Sequence, residues 1–138
     1  VFSNKLLGMM FLTYKSKYDC TETIQKIKES GTEFGWYNPT INNHFEIEKD
    51  LGLKDPNKVA TISMCIPRSA YDILKENKKL AVMMPLQINV YEEKNQVYVV
   101  WLNIEMMGKM FGKVTAGVMK EAAEMLRNVH KDIVEEVD

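Results

Sequence analysis

The chain has 138 residues, enough for one domain with a sizeable core, and its 46% hydrophobic and 27% charged residues exclude wholesale disorder. A formal net charge of −1, with lysines interspersed among acids, excludes the concentrated basic face of a nucleic-acid-binding module. The two cysteines, at positions 20 and 65, match neither a disulfide framework nor a zinc spacing, which predicts a reducing, cytoplasmic compartment.

The longest apolar run covers residues 6–12, far short of the roughly 20 residues that a membrane-spanning helix needs. We therefore expect no integral membrane segment. Because the chain opens at Val1 rather than at methionine, we expect residues 1–6 to be the remnant of an N-terminal tail or of a trimmed anchor. The chain as a whole, residues 1–138, is predicted to form a single domain.

Helix and strand signals alternate in the N-terminal half. Asp19 is an N-cap candidate with Glu22 as its capping-box partner, and Gly31 and Gly52 are candidate helix ends. In chain order the sequence predicts a buried strand over residues 7–15, a helix from Asp19 to near Gly31, a short strand over residues 33–37, and a helix over residues 41–51.

The C-terminal half begins with a strand predicted over residues 59–66, whose even-numbered positions form the more apolar face. Ser69 and Asp72 resemble a capping box that opens a short helix. Strands over residues 85–92 and 96–102 flank a hairpin turn in which Asn95 is the left-handed residue, and Asn103 caps a further helical turn.

The last predicted element is a long helix with one continuous apolar stripe. The fold class that follows is α+β: a single mixed sheet of four to five strands, with helices packed on one face and a long C-terminal helix. The stripe expected to face the sheet consists of Val114, Val118, Ala122, Met125, Val129 and Ile133.

The strongest candidate for chemistry is Cys65, at the junction between a strand and a helix. Helix N-terminal amides near Ser69 and the cation of Arg68 would both favour the thiolate form of Cys65. Such a thiol could bind a ligand or a soft metal, or act as a nucleophile. Alternatively, Cys65 is a small buried packing residue, as Cys20 on the stripe of the first long helix is expected to be.

Soft-metal or haem ligation is a second hypothesis, raised by ten methionines and two histidines. The candidate ligands are Cys65, His44 and Met64, and copper or haem would be the cofactor. Glu48, four residues after His44 on a predicted helix, could orient its imidazole. His130, beside Lys131 on the last helix, is expected to be solvated.

Several aromatic residues occur on predicted strands, so some must lie on the sheet face opposite the helices. Such a face could stack a planar ligand or become buried in a twofold dimer. The hairpin offers few convergent polar groups for a ligand, so we expect a homodimer. The residues concerned are Trp36, Tyr37, Tyr91, Tyr98 and Trp101.

The chain from Ser16 onward carries a series of short motifs: Ser16-Lys17-Tyr18 with Glu22-Thr23, Gly35-Trp36 with Pro39, Cys65-Ile66-Pro67, Met84-Pro85 with Val90-Tyr91-Glu92, Asn103, Met107-Gly108 and Phe111-Gly112. In these motifs and their order the chain resembles the domain of unknown function 302 family. The resemblance implies a compact, dimeric α+β domain without an assigned activity. Some relatives have a second cysteine directly after the hairpin proline, where this chain has Leu86, so a two-thiol site is not expected here.

The sequence therefore favours a small, non-catalytic binding or carrier protein. Its ligand-binding residues are predicted to be Cys65, Arg68, Ser69 and His44. Two alternatives stay open at this point: a soft-metal or haem protein, and a thiol-dependent enzyme with Cys65 as nucleophile. No catalytic base for Cys65 can be recognised in the sequence.

Overall fold

A computed structural model of the chain describes residues 4–135. Six α-helices and five strands, with two 3₁₀ turns, account for most of these residues. The helices are α1 (Asn4–Met10), α2 (Cys20–Glu33), α3 (His44–Asp50), α4 (Pro67–Glu76), α5 (Ile104–Gly108) and α6 (Lys113–His130), and the 3₁₀ turns are Lys78–Met83 and Lys109–Phe111. The strands are β1 (Phe11–Lys15), β2 (Ile41–Asn43), β3 (Val59–Met64), β4 (Leu86–Glu93) and β5 (Gln96–Leu102).

The five strands form one sheet in the order β1-β5-β4-β3-β2. The predicted α+β class, with a single sheet and a long C-terminal helix, is confirmed. Each of the four neighbouring pairs is antiparallel, so the sheet formed by the described residues is antiparallel rather than mixed.

The two faces of the sheet differ in burial, as the alternation along β3 predicts. Ala60, Ile62 and Met64 are buried, whereas the residues between them are only half-buried. Helix α2 packs against β3 and β4, and α6 packs against α2, α4 and α5. The helices therefore cover one face, and the opposite face, called here the open face, carries Thr61, Asn89 and Val100 across β3, β4 and β5.

Helix α2 begins where the sequence predicts, because the side chain of Asp19 accepts a hydrogen bond of 2.8 Å from the Glu22 amide. The strand predicted over residues 33–37 is wrong. Gly35 has φ of +101°, and the amide of Trp36 donates 2.9 Å to the Gly31 carbonyl, which is a Schellman helix end. The helix thus extends to Glu33, and the chain reverses at Gly35 instead of continuing extended.

Two other N-terminal predictions need correction. Residues 7–10 belong to α1, and the strand begins only at Phe11, because a short apolar run has no period that separates helix from strand. Residues 41–43 form β2 on β3 rather than helix. The side chain of Asn43 accepts from the Glu46 amide at 3.2 Å, so α3 starts one residue after that cap.

Helix α4 starts at Pro67, not at the capping box predicted for Ser69 and Asp72. Ile66 is its N-cap and makes no side-chain capping bond. Proline at the first helical position lacks an N–H that would need a partner, and its fixed φ suits a helix start. Both predicted cap residues consequently lie inside the helix.

The hairpin prediction is confirmed within one residue. Lys94 and Asn95 form its two-residue turn, both with positive φ, of 51° and 64°. Asn103 caps α5 as predicted, since its side chain accepts 3.2 Å from the Met106 amide.

The buried face of α6 is rotated from the predicted stripe. Ala122 and Val129 are buried as expected, but Val114 is 42% exposed, and Val118 and Met125 are half-buried. Ile133 is buried beyond the helix end, next to the bridge between Ser16 and Val134. The residues of α6 that are buried are Thr115, Met119, Ala122, Ala123, Leu126, Val129 and His130.

Candidate functional site

Cys65 lies directly after β3, where a loop is fixed against the strand end. The Tyr37 amide donates 2.8 Å to the Cys65 carbonyl. On the same loop, the Thr40 amide donates 2.9 Å to the Ser63 hydroxyl, and the Ser63 amide donates 2.8 Å to the Thr40 carbonyl. These three bonds hold the loop from Tyr37 to Thr40 beside Cys65, and Ile66 alone separates Cys65 from the start of α4.

A cavity of about 480 Å³ opens at this junction. Its polar lining residues come from the loop, the end of β3 and the first turn of α4. Its apolar lining comes from α4, α6 and the segment that leads into β4. The residues that line it are Tyr37, Asn38, Thr40, Ser63, Met64, Cys65, Ile66, Ser69, Ala70, Ile73, Leu74, Ala81, Met84, Pro85, Leu86, Val118, Met119 and Ala122.

The chemistry of this lining is mostly apolar and uncharged. Among the described residues that line the cavity there is no Asp, Glu, Lys, Arg or His. The ionisable side chains that remain are those of Tyr37 and Cys65. The cavity can therefore desolvate an apolar group and offer hydroxyl, amide and thiol contacts to a polar one.

The predicted site residues separate into two groups. Cys65, Ser69 and Met64 line the cavity, and Cys65 is half-buried. Arg68 is exposed on α4 and does not line it. His44 is exposed at the start of α3, next to the residue that pairs with Ala60, so β3 places it roughly 16 Å from Cys65.

This placement bears on the metal hypothesis. Because His44 lies at the opposite end of β3, the proposed set of Cys65, His44 and Met64 is not assembled within one chain. Among residues 4–135, no three side chains of His, Cys, Asp or Glu are grouped so that they could hold a metal ion. Copper or haem binding stays a prediction.

The second thiol, Cys20, borders a different and smaller cavity of about 290 Å³, together with Asp19, Lys58 and Glu92. Burial raises the pKa of the Cys20 thiol, and the nearby carboxylates of Glu92 and Asp19 raise it further, against a lowering by Lys58. The Lys58 ammonium lies 2.7 Å from the Glu92 carboxylate. The two cysteines lie at opposite ends of β3 and cannot act on one ligand together.

His130 is buried, at 4% exposure, so the prediction that it is solvated is wrong. The Trp101 indole donates a hydrogen bond to its Nε2, and the ring of Tyr14 lies 4.6 Å away between centroids. Burial lowers the pKa of His130 to about 4; a hydrogen bond to the backbone of His130 itself opposes this shift, and Arg127 adds a smaller lowering. The residue is therefore a neutral part of the core.

Sequence reasoning missed the wall of the cavity formed by Val118, Met119 and Ala122 of α6. The α6 stripe gave a partial signal, since Val118 and Ala122 were already grouped on one face. The loop of Tyr37 to Thr40 gave none, because only tertiary hydrogen bonds attach it to β3.

The comparisons with known proteins agree with this fold. Residues 12–133 match the family described as "Domain of unknown function DUF302". The chain belongs to this family. A solved structure, the crystal structure of the uncharacterized conserved protein DUF302 from Bacillus stearothermophilus, is similar with a TM-score of 0.81 and 20% sequence identity.

That likeness covers 91% of this chain and 99% of the other, and it shows a common fold. No curated protein matches the sequence. Within residues 4–135, no helix combines the length and apolar character needed to cross a bilayer. The family description assigns no activity.

Proposed function

We propose that this chain is a non-catalytic binding or carrier protein for a small, largely apolar molecule. The observation that carries the proposal is the cavity of about 480 Å³ beside Cys65. Its volume falls within the usual range of small-molecule sites, about 300–1,000 Å³, and an apolar lining with few polar groups is typical of them.

The polar contacts of the cavity are clustered at the end of β3. Cys65 and Ser69 can each offer a weak or neutral hydrogen-bonding group to one end of the ligand, whereas the Ser63 hydroxyl is already bonded to Thr40. Catalysis by Cys65 would need a base that accepts its proton, and no described lining residue is a histidine or a carboxylate. The lining therefore supports binding over thiol catalysis.

The proposal includes a homodimer that forms through the open face of the sheet. On that face Tyr91 and Tyr98 stack with centroids 5.1 Å apart, and Phe11 and Leu102 are 41% and 36% exposed. A five-stranded sheet face is roughly 24 Å wide, so two copies could cover an area near the low end of stable interfaces.

Both cysteines are free thiols, with no disulfide between them. A reducing compartment fits two unpaired thiols, and we propose a cytoplasmic location for the protein on that ground.

Binding of N-phenyl-1-naphthylamine, a neutral apolar dye, tests the cavity. We expect one dye per chain, and protection of Cys65 from N-ethylmaleimide when the dye is bound. Ala70→Phe should fill the cavity and weaken binding at least tenfold, while Gln25→Phe, the same aromatic at an exposed site of α2, should not.

Thermal melting of Ala70→Phe establishes that it folds, and protection of Cys65 in the unaltered chain tests the site even if it does not. Absence of dye binding, or binding that leaves Cys65 equally reactive, would show that the cavity is not a ligand site.

A further inference from the structure

A second depression on the surface lies beside the cavity. This outer groove is lined by Tyr71, Leu74, Lys75, Lys78 and Ala81. Leu74 and Ala81 also line the cavity, so the two spaces share a wall. Lys75 and Lys78 therefore border a space that adjoins the cavity at Leu74 and Ala81.

The outer groove carries positive charge only. Lys75 and Lys78 are exposed, and no acidic residue is among the described residues that line either the groove or the cavity. Within residues 4–135 neither lysine is part of an ion pair, and the Lys75 ammonium lies 4.9 Å from the ring centroid of Tyr71. An apolar cavity is complementary to an amphiphile with a negative head when the groove next to it carries two ammonium groups that form no ion pair.

We infer that the ligand is an amphiphile with an apolar body and one anionic head group, a carboxylate or a phosphate. This inference rests on the proposed function. The apolar body lies against Ile73, Leu86 and Met119, and the head group contacts Lys75 and Lys78 at the surface. The apolar body provides most of the affinity, because ion pairs between exposed groups contribute little.

The head-group preference should be correspondingly modest. Two exposed lysines should favour an anionic head over a neutral one by about 3- to 10-fold at low ionic strength. The preference should shrink at 0.5 M salt, because the groups are screened by solvent and ions.

Three amphiphiles with a ten-carbon chain test the inference by displacing N-phenyl-1-naphthylamine, the two charged ones below their critical micelle concentrations and decanol below its solubility limit. We expect decanoate to displace the dye best, decanol next, and decyltrimethylammonium least. In the Lys75→Gln/Lys78→Gln variant, decanoate should fall to the level of decanol, with decanol itself unchanged. A matched loss of two charges elsewhere, Lys49→Gln/Lys54→Gln, should preserve the preference.

Equal displacement by decanoate and decanol would overturn the head-group inference and leave the cavity proposal standing. Failure of the dye and of all three amphiphiles to bind would overturn both. A decyl phosphate that binds more tightly than decanoate would support an anionic head and assign it to the phosphate class.

Discussion

The indole Nε1 of Trp101 donates a hydrogen bond of 3.2 Å to Nε2 of His130, and both side chains are buried in the core. Because Nε2 accepts this bond, the imidazole must be neutral, with its own proton on Nδ1. Nδ1 is itself buried and makes no hydrogen bond to another of the described residues. Protonation of Nε2 would break the bond and leave a charge in an apolar environment.

The first prediction is that His130 makes the fold sensitive to mild acid. Its pKa is lowered from 6.5 to about 4, so between these values the unfolded chain binds a proton that the folded chain does not. The contribution of His130 to the free energy of unfolding is therefore fully present above pH 6.5, and it is lost as the pH falls toward 4. At pH 5 the loss should be roughly 2 kcal/mol.

Urea unfolding at pH 7 and pH 5 measures this loss. The free energy of unfolding should be lower at pH 5 than at pH 7, and His130→Gln should reduce that difference by about 2 kcal/mol. His44→Gln, at an exposed histidine, should leave the difference as it is in the unaltered chain. An equal pH dependence in all three proteins would contradict the assignment of His130.

The second prediction concerns Gly31, on which Trp36 packs at the end of α2. A Cβ at position 31 would overlap the indole ring of Trp36, so Gly31→Ala should destabilise the fold by about 1–3 kcal/mol. Gly117 lies in α6 with nothing within 4 Å of an added Cβ, and Gly117→Ala should stabilise by about 0.5–1 kcal/mol. Chemical denaturation should show that Gly31→Ala lowers the free energy of unfolding and that Gly117→Ala raises it. Changes of the same sign in the two variants would be inconsistent with this packing.

The third prediction separates the observed buried face of α6 from the stripe expected from sequence. Leu126 is 2% exposed, so Leu126→Asp should bury an unpaired charge and prevent stable folding. Val114 is 42% exposed, so the free energy of unfolding of Val114→Asp should differ from that of the unaltered chain by no more than about 0.5 kcal/mol. Thermal melts followed by circular dichroism show whether each variant folds. A Leu126→Asp variant that unfolds cooperatively would refute the assignment of Leu126 to the buried face of α6.

The fourth prediction concerns the reactivity of Cys20, whose pKa is raised by burial and then by Glu92. A raised pKa lowers the thiolate fraction, so Cys20 should alkylate slowly at pH 8. Glu92→Gln removes that carboxylate and should speed alkylation several-fold in a Cys65→Ser background. Glu93→Gln, on the exposed neighbouring residue, is the matched control, and an equal effect of both would argue against a local charge effect.

The fifth prediction is the oligomeric state. Sedimentation at micromolar concentration should give about twice the chain mass of 16.0 kDa. Val100→Glu, in the middle of the open face, should give a folded monomer, whereas Gln25→Glu on exposed α2 should stay dimeric. If the unaltered chain sediments as a monomer, the dimer proposal is wrong.

The sequence by itself determined the elements whose signals are local. Asp19, the hairpin turn at Asn95 and the cap at Asn103 each need only a side chain and the backbone within a few residues, so their positions could be predicted. The alternation along β3 also identified the covered face, because a strand with one buried face has a period of two. The α+β class followed from the order of these elements.

Only the tertiary structure decided which residues meet. Trp36 was predicted to lie on a strand, yet it packs on Gly31 because the positive φ of Gly35 reverses the chain. Charge at Lys131 suggested a solvated His130, but the closure of α6 on β5 buries it against Trp101. The cavity likewise depends on contacts between residues that are distant in the sequence, because its walls come from β3, α4 and α6. No local sequence pattern indicates that these three elements meet. Burial of each residue depends on which element packs against its face.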